Sequence, residues 1–141
     1  MFDNVLLPID LNHEASWSKA LPMALRMLSE GGTLHVLGIV PDVGMAAVAS
    51  YLPDGFEKTA LQGMKADLDA FVADKVPAGT RAEAHVGHGY VAQHILKAAG
   101  DVGADVIVMA SHPPDEMMTF LVGSHADRVV RHADRPVLVV R

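Results

Sequence analysis

The most constraining feature of this sequence is an alternation between short apolar segments and longer segments whose apolar residues recur at helical spacing. Most of the apolar segments are continuous, which is typical of strands buried on both faces of a parallel sheet. The predicted strands span residues 4–9, 33–40, 81–86, 105–111 and 136–141, and the predicted helices span 12–30, 56–75, 90–100 and 124–133. This order indicates an α/β fold, with one doubly wound parallel sheet and helices on both faces. The 141 residues favour a single domain, 1–141.

Two local signals set the expected ends of the first helix. Asn12 is a candidate N-cap, and Gly31 is a candidate for the residue that follows the helix. Pro22 either kinks this helix or marks the first turn of its main part. Residues 41–55 form a loop that is long for a compact domain, and such loops are often functional or mobile.

Charge and cysteine content exclude several classes of function. The formal net charge is −6, which argues against partners such as nucleic acid or an anionic membrane. The chain has no cysteine, so it has neither disulfides nor thiol catalysis. The start "MFDNVLLPID" lacks the basic segment of a signal peptide, and no uncharged apolar run is long enough to cross a membrane. We therefore expect a cytoplasmic protein.

Two features point to a small ligand at the carboxyl ends of the strands, where sheets of this kind bind ligands. Gly123, Ser124 and His125 open the last helix, whose first N–H groups suit a phosphate; Ser124 could equally be only an N-cap. Asp10 directly follows the first strand, where it could accept hydrogen bonds from a ribose or adenine, or hold Mg²⁺ through water. Its alternative role is that of a turn residue capping the next helix.

The spacing of residues in the sequence gives little support for a metal site or for a hydrolase active site. His85 and His88 are separated by a turn, and His125 and His132 lie about 10 Å apart along one helix. Neither pair matches a known ligand spacing, so we predict no metal site formed by the protein alone. Ser111, His112 and Asp115 are neighbours without the GxSxG turn of a hydrolase.

Across essentially its whole length, the sequence resembles the universal stress protein family. The matching segments are "VLLPID", "LHVLGIVP", "GADVIVMASH" and, most specifically, "LVGSHADRVVRHADRPVLVVR". The resemblance implies the universal stress protein, or adenine nucleotide alpha-hydrolase-like, fold: a five-stranded sheet in order 3-2-1-4-5. It also implies a homodimer through the last strand, 136–141, with a tetramer left open.

ATP-binding members of this family carry the motif G-x2-G-x9-G-[ST]. Its spacing places the first glycine at Ala110, the second at Pro113 and the final pair at Gly123-Ser124. Both leading glycines are therefore replaced, and Pro113 removes an N–H that could have contacted phosphate. The resemblance implies binding of ATP or another adenine nucleotide, with or without Mg²⁺. The implied site is Pro8, Ile9, Asp10, Val36, Met109, Ala110, His112, Pro113, Gly123, Ser124 and His125.

Three functions remain open. The first is a nucleotide-binding regulatory or stress-response module that is not an enzyme, or at most a slow ATPase. The second is a nucleotide-free dimeric module that regulates a protein partner such as a transporter or signalling domain. The third is a small-molecule enzyme on the same fold, which the fold alone does not exclude.

Overall fold

Five parallel strands form one sheet in the spatial order β3-β2-β1-β4-β5, which confirms the expected fold class and strand order. The computed structural model describes residues 1–40, 55–111 and 123–141. The strands are β1 (Phe2–Ile9), β2 (Leu28–Val40), β3 (Arg81–His88), β4 (Val106–Ala110) and β5 (Val137–Val140). Most of these bounds lie within one or two residues of the predicted ones.

Four α-helices connect the strands within the described ranges. They are α1 (Ala20–Met27), α2 (Phe56–Lys75), α3 (Val91–Asp101) and α4 (Gly123–His132), and a short 3₁₀-helix (Glu14–Ser16) precedes α1. Helix α2 has the bounds that its apolar spacing predicts. Tyr90, expected as the first residue of α3, instead precedes the helix and is 70% exposed. Within the described ranges, no helix combines the length and apolar character needed to cross a membrane.

The core consists of two apolar layers, one on each face of the sheet. Helices α1 and α2 cover one face, where Leu21, Leu68 and Phe71 pack on the odd-numbered residues of β1. Helices α3 and α4 cover the other, where Ile95 and Val129 pack on β4 and β2. Alternate residues of a strand point to opposite faces, so a continuous apolar strand places apolar side chains in both layers. Val130, expected to point inward from α4, is 50% exposed.

The first helix is shorter than predicted at both ends. Asn12 is not its N-cap, because residues 11–19 form turns and the 3₁₀-helix, and α1 begins only at Ala20. Pro22 is the third residue of α1, within the first turn, where a missing N–H costs no helical hydrogen bond. Pro22 thus marks the start of the helix rather than a kink.

The segment after α1 is extended rather than helical. Leu28 already has strand geometry (φ −71°, ψ 134°), and β2 begins there. Gly31 is therefore not the residue that terminates the helix. It lies in an irregular start of β2, where the register with β1 shifts between Phe2 and Asn4 and where its φ of 78° suits glycine. The long loop proposed at 41–55 lies outside the described residues except for Gly55, which precedes α2.

Candidate functional site

The strand order reverses between β1 and β4, and the described pairing between these two strands is short. Only Val5 with Val106 and Leu6 with Ile107 are paired, although β4 continues to pair with β5 as far as Ala110. In β1 the next positions include Pro8, which has no N–H to donate to a neighbouring strand. The carboxyl ends of β1 and β4 are thus not joined by the ladder, and this is the position where parallel sheets of this kind bind ligands.

Asp10 closes a tight turn directly after β1. Its Oδ1 accepts the N–H of Asn12 at 3.0 Å, and its Oδ2 accepts the ring N–H of His13 at 2.8 Å. Only 5% of Asp10 is exposed. These bonds orient the carboxylate at the carboxyl edge of the sheet. The structure thus shows the turn-forming role of Asp10, without its capping a helix; a contact with ribose, adenine or Mg²⁺ stays a prediction.

The buried Ser16 hydroxyl stabilises the same turn by hydrogen bonds to its backbone. Its hydroxyl oxygen accepts the N–H of Asp10 at 2.8 Å and lies 2.7 Å from the carbonyl oxygen of His13, to which the hydroxyl can donate. Ser16 is fully buried, so the turn is tied to the interior and not only to solvent-exposed groups. A buried hydroxyl with its partners satisfied makes such a network rigid.

His13 was missed by the sequence reasoning. Its half-buried ring contacts the Asp10 carboxylate and therefore lies at the same edge of the sheet. The signal was the spacing Asp-x-x-His immediately after a buried strand, since a turn brings residues three apart together. A carboxylate paired with an imidazole offers both an acceptor and a donor to a ligand.

The remaining strand residues of the expected site lie deeper. Ile9 and Met109 are at most 5% exposed, and Pro8 is also buried. Val36 pairs with Leu7 and Ala84 in the middle of the β1-β2-β3 ladder, with no exposed surface. These residues belong to the apolar core beneath the carboxyl ends of the strands. Direct contact between them and a ligand stays a prediction.

Helix α4 starts at Gly123, followed by Ser124, as expected for a phosphate-binding helix N-terminus. Because α4 connects the carboxyl end of β4 to the amino end of the parallel strand β5, its N-terminus belongs to the same edge of the sheet as Asp10. His125 follows in the first turn, and burial, together with the positive charge of Arg128, lowers the pKa of its imidazole. His112 and Pro113 lie outside the described residues.

Comparison with known proteins identifies the family. The model of the universal stress protein family matches residues 1–141. This chain belongs to the universal stress protein family. It is 30% identical over 143 residues to universal stress protein G of Escherichia coli O157:H7, and the match covers 100% of both chains.

Solved universal stress proteins have the same fold. Universal stress protein UspA from Lactobacillus plantarum superposes with a TM-score of 0.71 at 23% identity, covering 98% of this chain and 97% of that chain. A family protein from Arabidopsis thaliana, solved with AMP bound, superposes with a TM-score of 0.62 at 16% identity, covering 97% of this chain and 90% of that chain. At these identities the likeness establishes the fold.

Ala110, which the motif spacing places at the first glycine of ATP-binding universal stress proteins, has ordinary strand geometry. It ends β4, pairs with Val140, and is followed by a hydrogen bond from the N–H of Ser111 to the carbonyl oxygen of Val140 at 2.9 Å. No described residue other than glycine has a positive φ. A glycine is therefore not required at this position for backbone conformation.

Proposed function

We propose that this universal stress protein is a regulatory module of the stress response that binds an adenine nucleotide, ATP in particular, with or without Mg²⁺. The observation that carries the proposal is the arrangement at the reversal of strand order. There an anchored Asp10 carboxylate and the N-terminus of α4 share the carboxyl edge of the sheet. A carboxylate is suited to ribose hydroxyls, and a helix N-terminus is suited to phosphate.

The charges around the site favour backbone contacts to phosphate. The segment 110–123 contains neither lysine nor arginine, so N–H groups and a cation from solvent are left to balance the phosphate charge. Burial and Arg128 lower the pKa of His125 and so disfavour its charged form, which leaves a ring N–H as its contribution to a hydrogen bond. Such a site recognises phosphate by hydrogen bonding more than by net charge.

The bound AMP in the Arabidopsis thaliana relative supports an adenine nucleotide as the ligand class. Hydrolysis of ATP requires a positioned water, a base and stabilisation of the transferring phosphoryl group. We assign none of these roles to a described residue, and we propose binding with little or no turnover. Occupancy by nucleotide would then act on a partner of the regulated process, in the cytoplasm.

Calorimetric titration of the purified chain with ATP and Mg²⁺ tests this function. We expect micromolar binding that Asp10→Asn and Gly123→Val weaken at least about tenfold, because one loses the anionic acceptor and the other crowds the helix N-terminus. Asp105→Asn is a matched control. Oδ2 of Asp105 accepts the N–H groups of Asp3 and Asn4 at the opposite edge of the sheet. The Asp105→Asn variant should therefore bind ATP with the affinity of the wild type.

Absence of binding at millimolar ATP in the wild type would contradict the nucleotide module. It would favour the second function, a nucleotide-free dimeric module acting on a transporter or signalling partner. Equal weakening in Asp10→Asn and Asp105→Asn would instead show that loss of fold, not of the site, causes the effect.

We propose that a second copy of the chain pairs with β5. All four residues of β5 are apolar and only half-buried, and β5 is the last strand of the sheet, paired on one side with β4. An apolar edge strand of this kind is stabilised by pairing with another strand, here antiparallel over residues 136–141. Light scattering should give a dimer or a tetramer for the wild type and a monomer for Val139→Lys. Val130→Lys on the exposed side of α4 is the matched control.

A further inference from the structure

A cluster of polar side chains, His35, Glu83 and His85, lies on β2 and β3, whereas the strand order reverses between β1 and β4. In the ladder between β2 and β3, His35 is paired with Glu83, and His85 follows two residues later on the same face. The histidine pairs that the sequence analysis rejected as metal sites, His85 with His88 and His125 with His132, are not the ones that meet here. Strand register joins residues about fifty positions apart instead.

The three ligand-type atoms of this cluster form a compact triangle. His35 Nδ1 lies 2.9 Å from His85 Nε2 and 3.6 Å from Glu83 Oε2, and His85 Nε2 lies 3.8 Å from the same carboxylate oxygen. Bonds of about 2.0–2.1 Å at a tetrahedral ion place its ligand atoms about 3.3 Å apart, and the three separations here, 2.9, 3.6 and 3.8 Å, lie on both sides of that value. All three atoms lie within 4.8 Å of one another.

Asn4 provides an independent observation about His35. The other ring nitrogen, Nε2, lies 3.1 Å from Asn4 Oδ1, an oxygen that can only accept a hydrogen bond. The proton of the neutral ring is therefore on Nε2, and the lone pair of Nδ1 accepts the hydrogen bond from His85 Nε2. Metal-ligating histidines are fixed in this way, through a second-shell acceptor on the nitrogen that does not bind the metal.

We propose that His35, Glu83 and His85 form a binding site for one divalent transition-metal ion of the zinc type. Two imidazoles and one carboxylate are a donor set for such ions, whereas Mg²⁺ and Ca²⁺ prefer oxygen alone. The three protein ligands leave a fourth position of a tetrahedral ion for water or another ligand.

Binding requires a local rearrangement that the surroundings permit. In the metal-free state the Nε2–H of His85 donates a hydrogen bond to Nδ1 of His35. To bind the ion through Nε2, His85 must carry its proton on its own Nδ1 instead, and both rings must turn toward the ion. The Glu83 side chain is 56% exposed and that of His85 is 31% exposed, so both have room to adjust. The His35 side chain, only 7% exposed, is the fixed corner.

Zinc titration of the tag-free, EDTA-stripped chain, without nucleotide, tests the site. We expect one Zn²⁺ per chain, a Co²⁺ adduct with the intense visible absorption of a tetrahedral ion, and no binding of Mg²⁺ at the same concentrations. Glu83→Gln and His85→Gln should each lower the zinc affinity at least about tenfold. Glu30→Gln and His132→Gln change exposed residues of the same types elsewhere and should bind zinc as the wild type does.

Two outcomes would overturn the proposal. One is no zinc binding below millimolar concentration, and the other is equal affinity in the wild type, Glu83→Gln and His85→Gln. Thermal unfolding in EDTA shows whether each variant is folded. Should His85→Gln be unstable, the exposed Glu83→Gln decides alone. The result is independent of the nucleotide proposal, since no residue is shared between the two sites.

Discussion

The guanidinium of Arg135 binds the carbonyl oxygen of Ala99 at 2.7 Å, and so joins the turn before β5 to the end of α3. The same Nη1 donates to the carbonyl oxygen of Ala104 at 2.9 Å. Helix α3 ends there in a Schellman motif, in which the N–H of Ala104 also bonds to the Ala99 carbonyl and Gly103 has a φ of 63°. Arg135 thereby holds together the end of α3, the start of β4 and the start of β5.

We expect Arg135→Met to lower the free energy of unfolding by about 1.5–3 kcal/mol, because two buried carbonyl groups lose a charged donor. The control is Arg131→Met. The Arg131 side chain is 72% exposed and pairs only with Asp127 among the described residues, so its loss should cost less than about 0.5 kcal/mol. Urea unfolding measures both. Equal costs would mean that the Arg135 contacts add nothing beyond a surface charge.

Gly38 marks a close approach of β2 to α2. A Cβ atom at this position would lie 2.9 Å from Leu68 Cδ1 and 3.0 Å from Met64 Sδ. We expect Gly38→Ala to destabilise the fold by about 1–3 kcal/mol through overpacking. A smaller side chain at Leu68 should relieve part of that cost. A double-mutant cycle with Leu68→Val checks the coupling, and strict additivity would contradict the contact.

Gly63, by contrast, lies on α2 with no atom within 4 Å of an added Cβ and has no positive φ. Gly63→Ala should therefore stabilise the protein by about 0.5–1 kcal/mol, because alanine loses less backbone freedom in a helix. Thermal unfolding checks this prediction. A fall in the unfolding temperature would show that α2 is not a regular, exposed helix at this position.

The element order and the strand order could be predicted because they depend on patterns within the chain. Continuous apolar strands and the helical spacing of α2 are such patterns. The ends of α1 could not, because Trp17 and Leu28 fit a helical spacing although other contacts decide their conformation. Trp17 packs edge-on against Phe71 with ring centroids 5.1 Å apart, and Leu28 pairs with Phe2. Both partners are distant in sequence or lie in another element, so local spacing cannot reveal them.

The same distinction applies to the candidate sites. Asp10 and the Gly123-Ser124 helix start were predicted from residues that are neighbours in the chain. His35 and Glu83 meet only through the register of β2 and β3. Aligning "TLHV" with "RAEA" in parallel register would have placed the two residues opposite each other, but nothing in either segment alone fixes that register.

Acidification should destabilise the protein partly through His125. Its pKa is lowered in the folded chain by burial and by Arg128, so the folded state takes up a proton less readily than the unfolded state. The stability present above about pH 6.5, the ordinary imidazole value, is therefore lost as pH falls through the folded pKa. Between pH 7.5 and pH 5, we expect His125→Gln to lose less stability than the wild type. The loss in Arg128→Gln should be intermediate between those of the wild type and His125→Gln. Thermal unfolding at each pH, in EDTA, measures the slopes. Identical slopes in all three proteins would exclude this role.

Restoring the motif glycine at Ala110 tests whether its replacement matters for nucleotide binding. Ala110 is 3% exposed and has regular strand geometry, paired with Val140, so glycine offers no conformation that the chain needs there. We expect Ala110→Gly to leave the ATP affinity within about twofold while lowering the free energy of unfolding by about 0.5–1 kcal/mol, the usual cost of glycine in a strand. Calorimetry with ATP and Mg²⁺, alongside urea unfolding, separates the two effects. A tenfold gain in affinity would show instead that the Ala110 side chain obstructs the ligand. The helix N-terminus at Gly123 would then not reach its full affinity for phosphate without a glycine at position 110.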